Sequence, residues 1–370
     1  MKIGLDGNEA NVKNRVGSGQ YAYAMLCEFA KNKTHDFNVY LKEHPQDDMP
    51  RETSNFHYTV FGPKKIWTQI ALPLKLSFGQ KLDIFFTLGH YGPRFARIPY
   101  AVTIFDLSYL HFPELFNKDD LYQLTNWSKY SIQKSEHIFA ISNSTKDDII
   151  KNYKIDPSKV SVTYMGYNSS LFKPQSKPIV DKIKSKYKII GDYIIFIGTL
   201  QPRKNIGGLI EAFGQLIRNQ ESGISNLSLV VVGRKGWLYD SIFEKVKDLG
   251  LEDKIIFTDF VPQNDLPPLL AGAKVYVLPS LFEGFGIPVI EAQACGVPVV
   301  VSNNSSLPEV VKNSGITVDP TSVKSIAGGI ERILTNPKLA MDLSQKGFIN
   351  AKRFSWQKCA QETLKVLETL

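Results

Sequence analysis

The chain has 370 residues, 43% of them hydrophobic and 22% charged, a globular composition long enough for two domains of about 150–200 residues with a core each. No run of about 18 apolar residues occurs, which argues against a spanning helix, and Cys27, Cys295 and Cys359 form no CxxC pair, which argues against a disulfide framework or a zinc site. The net charge of +8 is spread along the chain rather than gathered into an arginine-rich stretch. Nucleic acid is therefore not expected as a partner, and the choice lies between a solvated basic surface and peripheral contact with an anionic membrane.

Short continuous apolar runs alternate with helical patterns from end to end, the signature of parallel strands buried on both faces. In the first half, strands are predicted at residues 2–6, 37–42, 84–86, 100–104, 137–140 and 160–163. In the second half they are predicted at 193–197, 227–232, 255–257, 275–278, 297–301 and 316–318. Helices are predicted between them, among others at 206–219, 239–249, 266–271 and 322–334. The fold class is α/β, with two Rossmann-like, doubly wound domains in series. The basic stretch 63–81, PKKIWTQIALPLKLSFGQK, is helix-like, although Pro73 speaks against one uninterrupted helix. It either packs on the first sheet or rests on a membrane through Trp67, Ile70 and Leu74. The linker is predicted at 169–188, where two prolines fall among polar residues. The domains then span 1–172 and 173–355, and a last helix at 356–370 is free to pack back across the junction. The N-terminal MKIGLDGNEA has no apolar core of a secretion signal, so a cytoplasmic location is expected.

The most informative stretch is 279–302, PSLFEGFGIPVIEAQACGVPVVVS. A strand ends, glycines let the backbone approach a ligand, and a helix opens at Pro288. The N–H groups of Phe285, Gly286 and Ile287 would face an anion before that helix. Glu283 and Glu291 place carboxylates around the same spot, and a carboxylate accepts paired hydrogen bonds from vicinal hydroxyls of a sugar or ribose. A second constellation is 196–213, FIGTLQPRKNIGGLIEAF, where Arg203 and Lys204 follow a strand end. A guanidinium fork and an ammonium point charge there match a diphosphate. A third reading competes: Gly17-Ser-Gly19-Gln-Tyr-Ala22 fits a dinucleotide fingerprint, but the first strand ends about ten residues earlier, whereas a true fingerprint opens directly after its strand.

Taken together, DGNEAN and GSGQYAY within 6–23, FDLSYLHFPE at 105–114, ISNST at 141–145, GTLQPRKN at 198–205, VVGRKGW at 231–237 and EGFGIPVIEAQACGVPVV at 283–300 resemble one family. It is the large retaining glycosyltransferase family with the two-lobed GT-B fold, and the chain is most similar to its mannosyltransferase B-type branch. The resemblance implies two domains facing across a cleft, with a nucleotide-diphosphate sugar as donor and a glycan or lipid-linked acceptor. It implies that Glu283 contacts sugar hydroxyls, Glu291 the ribose, and Lys204 with Arg203 the diphosphate. Phe285, Gly286 and Ile287 would add backbone contacts, Gly17 and Gly19 a mobile loop over the phosphates, and Asp106 the acid of a His-Asp pair near the reacting sugar. Nucleobase contacts would lie near 260–262. No cofactor and no metal are required on this reading. Two departures stand out. Thr199 replaces an arginine, so that one diphosphate contact is absent or falls to Arg203, and Phe105 replaces the histidine before Asp106. An ordinary hexose such as mannose, or a 6-deoxyhexose, is the expected sugar. The alternatives are a sugar-nucleotide 2-epimerase of the same architecture, an NAD-dependent oxidoreductase and a non-catalytic sugar-binding protein.

Overall fold

The computed structural model describes residues 1–218 and 226–370. The chain divides into two compact units, Met1–Gly166 with Trp356–Leu370, and Tyr167–Ser355. In the first, seven strands form one parallel sheet: β1 (Lys2–Asp6), β2 (Asp36–Leu41), β3 (Phe56–Val60), β4 (Ile84–Thr87), β5 (Tyr100–Ile104), β6 (His137–Ala140) and β7 (Val160–Val162), in the order β3-β2-β1-β4-β5-β6-β7. In the second, six strands do the same: β8 (Asp192–Ile197), β9 (Leu227–Val232), β10 (Ile255–Phe257), β11 (Val275–Leu278), β12 (Val299–Ser302) and β13 (Ile316–Val318), in the order β10-β9-β8-β11-β12-β13.

The central strands are apolar on both faces because helices cover both. Every residue of β4, β5, β6, β11 and β12 is buried. β3 is the strand that periodicity misses. Its sequence FHYTV lies at the sheet edge, where only Phe56 is buried and His57 and Val60 are exposed, so it lacks the continuous apolar run of a central strand. β12 starts at Val299 rather than 297; Pro298 has no N–H for a ladder and instead offers its carbonyl to the Tyr276 N–H at 3.0 Å. The second half of the predicted linker is mostly a helix, Lys177–Lys186, because Pro178 sits in its first turn, where a missing N–H leaves no helical bond unmade. The helix predicted at 206–219 is described as Ile206–Arg218; position 219 lies outside the described residues.

Two further segments bear on function. The helix Trp356–Leu367 belongs to the first unit, where Trp356 meets the Tyr21 ring edge-on at 6.1 Å and Glu368, just beyond it, bonds His35 at 2.8 Å. Within 63–81, a π-helical turn, Trp67–Ala71, runs directly into an α-helix, Leu72–Phe78, with Pro73 in the first turn of the latter. The helical path is therefore continuous in spite of Pro73. Trp67, Ala71, Leu72 and Leu76 are buried in the core of the first unit, and the Trp67 indole N–H donates to the Phe61 carbonyl at 3.0 Å. Trp67 is thus a core residue and not a membrane contact.

Candidate donor site at the carboxyl ends of the strands

In an open parallel sheet, ligands gather where the strand order reverses, beyond the carboxyl ends of the strands. In the second unit that point lies between β8 and β11, which are neighbours in the sheet. The loops that leave these two strands are tied together. The Leu281 N–H donates to the Arg203 carbonyl at 2.8 Å, and the Asn205 amide donates to the carbonyls of Pro279 at 3.1 Å and Pro320 at 2.7 Å. A short 3-10 turn, Pro202–Lys204, closed by Asn205 at a φ of 52°, presents Arg203 and Lys204 to this junction.

Glu283 is the centre of the cluster. Its Oε1 accepts from Lys204 Nζ at 2.6 Å and from Ser280 Oγ at 2.6 Å, while Arg203 stands 3.8 Å from Oε2. Its backbone is held as well: the N–H donates to Ser305 Oγ at 3.0 Å, and Ser306 Oγ donates to the carbonyl at 2.8 Å. Burial by itself would push the Glu283 carboxyl up. The charges of Lys204 and Arg203, with the hydrogen bonds from Lys204 and Ser280, outweigh it and hold the group below the usual carboxylate range. Ser280, Asn205, Ser305 and Ser306 escape sequence reading, because lone serines and asparagines in loops carry no pattern.

Glu291 stands one turn into the helix Ile287–Ala294 and behaves oppositely. Its carboxylate has no hydrogen-bond or ion-pair partner among the described residues, and burial pushes it up to about 8. The helix is entered through Gly286, whose φ of 92° and a neighbour 2.9 Å from any added Cβ leave room for glycine alone. Phe285 is buried edge-on against Phe354, and Ile287 is the first helical residue. Thr199 is half-buried, and its methyl lies 2.9 Å from where a Cβ on Gly236 would stand, so it packs against the GRKGW turn. At the ends of β9 and β10, the Arg234 guanidinium lies 4.6 Å above the half-exposed Phe260 ring.

The remaining predicted residues belong to the first unit. Gly17, at a φ of 54° with open space around it, precedes the helix Ser18–Lys31, and an added Cβ on Gly19 would meet the Glu9 carbonyl at 2.9 Å. Asp106 follows β5 and closes a turn just ahead of the one-turn helix Ser108–His111: its Oδ1 accepts from the Ser108 N–H at 2.9 Å and from Ser108 Oγ at 2.6 Å. The Phe105 ring is packed between Tyr21, edge-on at 5.2 Å, and His90, stacked at 5.4 Å. His90, which no sequence pattern singles out, accepts the Phe105 N–H on Nε2 at 3.2 Å. Its ring hydrogen must then sit on Nδ1, a buried atom with no partner among the described residues. Burial pulls His90 down to about 4 against the opposing charge of Asp106, so the ring is neutral at pH 7.

Two parallel-sheet α/β domains of this kind define the GT-B glycosyltransferase architecture. The Anabaena protein HepE, solved in complex with UDP and glucose, matches with a TM-score of 0.78 at 19% identity over 100% of this chain and 99% of that one. WaaG, a glycosyltransferase involved in lipopolysaccharide biosynthesis, matches at 0.73 and 16% identity over 99% of each chain. Residues 181–349 fit the family model of glycosyl transferases group 1, and residues 16–171 that of glycosyltransferase family 4. The O-antigen chain mannosyltransferase B of Escherichia coli is 33% identical over 286 residues, 76% of this chain and 74% of that protein. The O-antigen chain mannosyltransferase RfbU of Salmonella typhimurium is 31% identical over 283 residues, 76% of this chain and 72% of that protein. The chain belongs to the glycosyl transferases group 1 family and is a glycosyltransferase.

Proposed function

We propose that the protein is a retaining hexosyltransferase, with mannose as the first candidate sugar, that carries the sugar from a nucleotide diphosphate to a glycan or lipid-linked acceptor in polysaccharide assembly. The observation that carries this reading is the convergence of Lys204, Arg203 and Glu283 at the strand-order reversal of the second unit. The names of the O-antigen mannosyltransferases among its relatives support the choice of sugar and product class. Lys204 and Arg203 take the diphosphate, Glu283 the sugar hydroxyls through Oε2, and Glu291 the ribose. As the bond from the anomeric carbon to the diphosphate oxygen breaks, the two cations stabilise the charge that develops on the leaving group. The departing phosphate oxygen accepts the acceptor's hydroxyl proton, and the acceptor oxygen bonds to the same face of the sugar, preserving configuration.

Incubation with a panel of nucleotide sugars, with and without oligosaccharide acceptor, tests this directly. Product formed only with acceptor, and with the donor's anomeric configuration by carbon–proton coupling, is the expected result. Product of inverted configuration overturns the retaining mechanism, and conversion of donor alone to an epimer overturns the transfer reaction. Because Arg203 and Lys204 supply the positive charge, turnover in excess EDTA should stay within about twofold of the untreated rate; loss of activity restored by a divalent cation contradicts that role for them.

A second reading of the sugar rests on Phe105. A ring clamped between His90 and Tyr21 offers no hydrogen bond to a 6-hydroxyl. A buried hydroxyl left without a partner costs about 1–3 kcal/mol, whereas a methyl group gains contact. Phe105→His should therefore shift the ratio of hexose to 6-deoxyhexose transfer toward the hexose by roughly tenfold. An unchanged ratio in competition assays removes Phe105 from donor selection.

A further inference from the structure

Between Glu52 and Asp83 the chain contains no acidic residue, and four lysines, Lys64, Lys65, Lys75 and Lys81, fall in this interval. All four are exposed; Lys64 pairs with Glu43 at 3.1 Å, and the others have no ion pair among the described residues. The helical stretch 67–78 in the middle of the interval is apolar on two sides. One side is spent on the core through Trp67, Ala71, Leu72 and Leu76. On the other, Ile70 is 47%, Leu74 54% and Phe78 85% exposed, and Ile66, just ahead of the helix, is 59% exposed.

Four large apolar residues at intervals of four form a ridge, since positions four apart share a helix face. Ile66 is held at a φ of 51°, an uncommon conformation for a β-branched residue, and no burial of its own side chain offsets it. A monomer gains nothing in water from this ridge.

We propose that the ridge Ile66, Ile70, Leu74 and Phe78, flanked by Lys65, Lys75 and Lys81, docks the protein onto an anionic phospholipid surface. The charge pattern selects this occupant. Apolar side chains enter the headgroup boundary, and lysine stems extend their ammonium groups to lipid phosphates. A second copy of the chain meeting the same patch about a twofold axis would bring like-charged lysines together, which opposes self-association through this face. The surface stands independently of the donor site, which lies in the other unit. Where the acceptor of the proposed function is the lipid-linked one, this surface brings the first unit to the membrane that carries it.

Co-sedimentation of the full chain with vesicles of phosphatidylcholine alone, or with about a third phosphatidylglycerol, tests the proposal. Binding to the anionic vesicles, weakened by high salt, is expected. Lys65→Gln, Lys75→Gln and Lys81→Gln together should lower partitioning by about a hundredfold, near fivefold per lysine. Leu74→Ser with Phe78→Ser should lower it at least tenfold. Both variants change exposed residues, so melting temperature and the nucleotide-induced thermal shift should match wild type, which separates failure here from failure of the donor assignment. Absence of binding to anionic vesicles, equal binding to neutral ones, or unchanged binding in both variants overturns the proposal. So does a dimer in light scattering that Leu74→Ser with Phe78→Ser dissolves.

Discussion

Lys204→Ala should abolish the thermal stabilisation that a nucleoside diphosphate confers on the wild-type protein. A ligand at a hundred times its dissociation constant stabilises the folded state by about 2.7 kcal/mol, which for a unit of this size is roughly 5–10 °C. The variant removes the ammonium bonded to Glu283 at 2.6 Å and leaves that carboxylate buried with only the longer Arg203 contact as an ion pair. Breaking one side of a largely buried pair costs about 3–5 kcal/mol, so the unliganded variant should also melt earlier. Stability and binding separate in a double variant. Lys204→Met with Glu283→Gln removes both charges and should recover most of the lost stability while remaining insensitive to nucleotide. A single variant that keeps a full nucleotide shift would place the diphosphate elsewhere.

Glu291→Gln should weaken nucleoside diphosphate binding by roughly ten- to a hundredfold at pH 8.5, and the deficit should shrink as the pH falls toward 6. Burial holds Glu291 near 8, so at pH 7 most molecules carry it protonated. Ribose hydroxyls donating to it would favour the carboxylate, so binding at pH 7 should expel a proton. Calorimetry in buffers of different ionisation enthalpy should register that release in wild type and not in Glu291→Gln. The terminal phosphate, with its second pKa of about 6, contributes equally to both. The sign for folding is the reverse. A carboxyl whose folded value is raised above the unfolded one contributes stability that is complete below about 4.5 and is lost as pH rises through about 8. Unliganded Glu291→Gln should therefore melt higher than wild type at pH 8.5 and close to it at pH 5. Equal proton release in both proteins would remove Glu291 from the ribose. Glu283→Gln should differ by losing turnover more than nucleotide affinity.

Both sheets were legible in the sequence wherever a strand is buried on two faces. VYVL before PSLFEGFG and YIIFI before GTLQPRKN are continuous apolar runs followed by glycine-containing loops, and the structure builds β11 and β8 there. The edge strand β3 was illegible because its outer residues face water. Residues 177–186 read as linker because proline marks both a break and a helix start. The residue types of the candidate site were visible in Arg203, Lys204, Glu283 and Glu291. Their opposite electrostatics were not, since these depend on which carboxylate has cations within reach in the folded chain. The same holds for His90, whose meaning rests on a bond from the Phe105 N–H across neighbouring strands β4 and β5.

The location of the donor nucleotide is the claim on which the proposed transfer reaction depends, and a crystal structure with a nucleoside diphosphate bound tests it. Phosphate oxygens are expected within hydrogen-bond distance of Lys204 Nζ and Arg203, and ribose hydroxyls on Glu291 beside the helix Ile287–Ala294. A nucleotide bound at the strand ends of the first unit, with Lys204 still closed on Glu283 and no contact to Glu291, would contradict it.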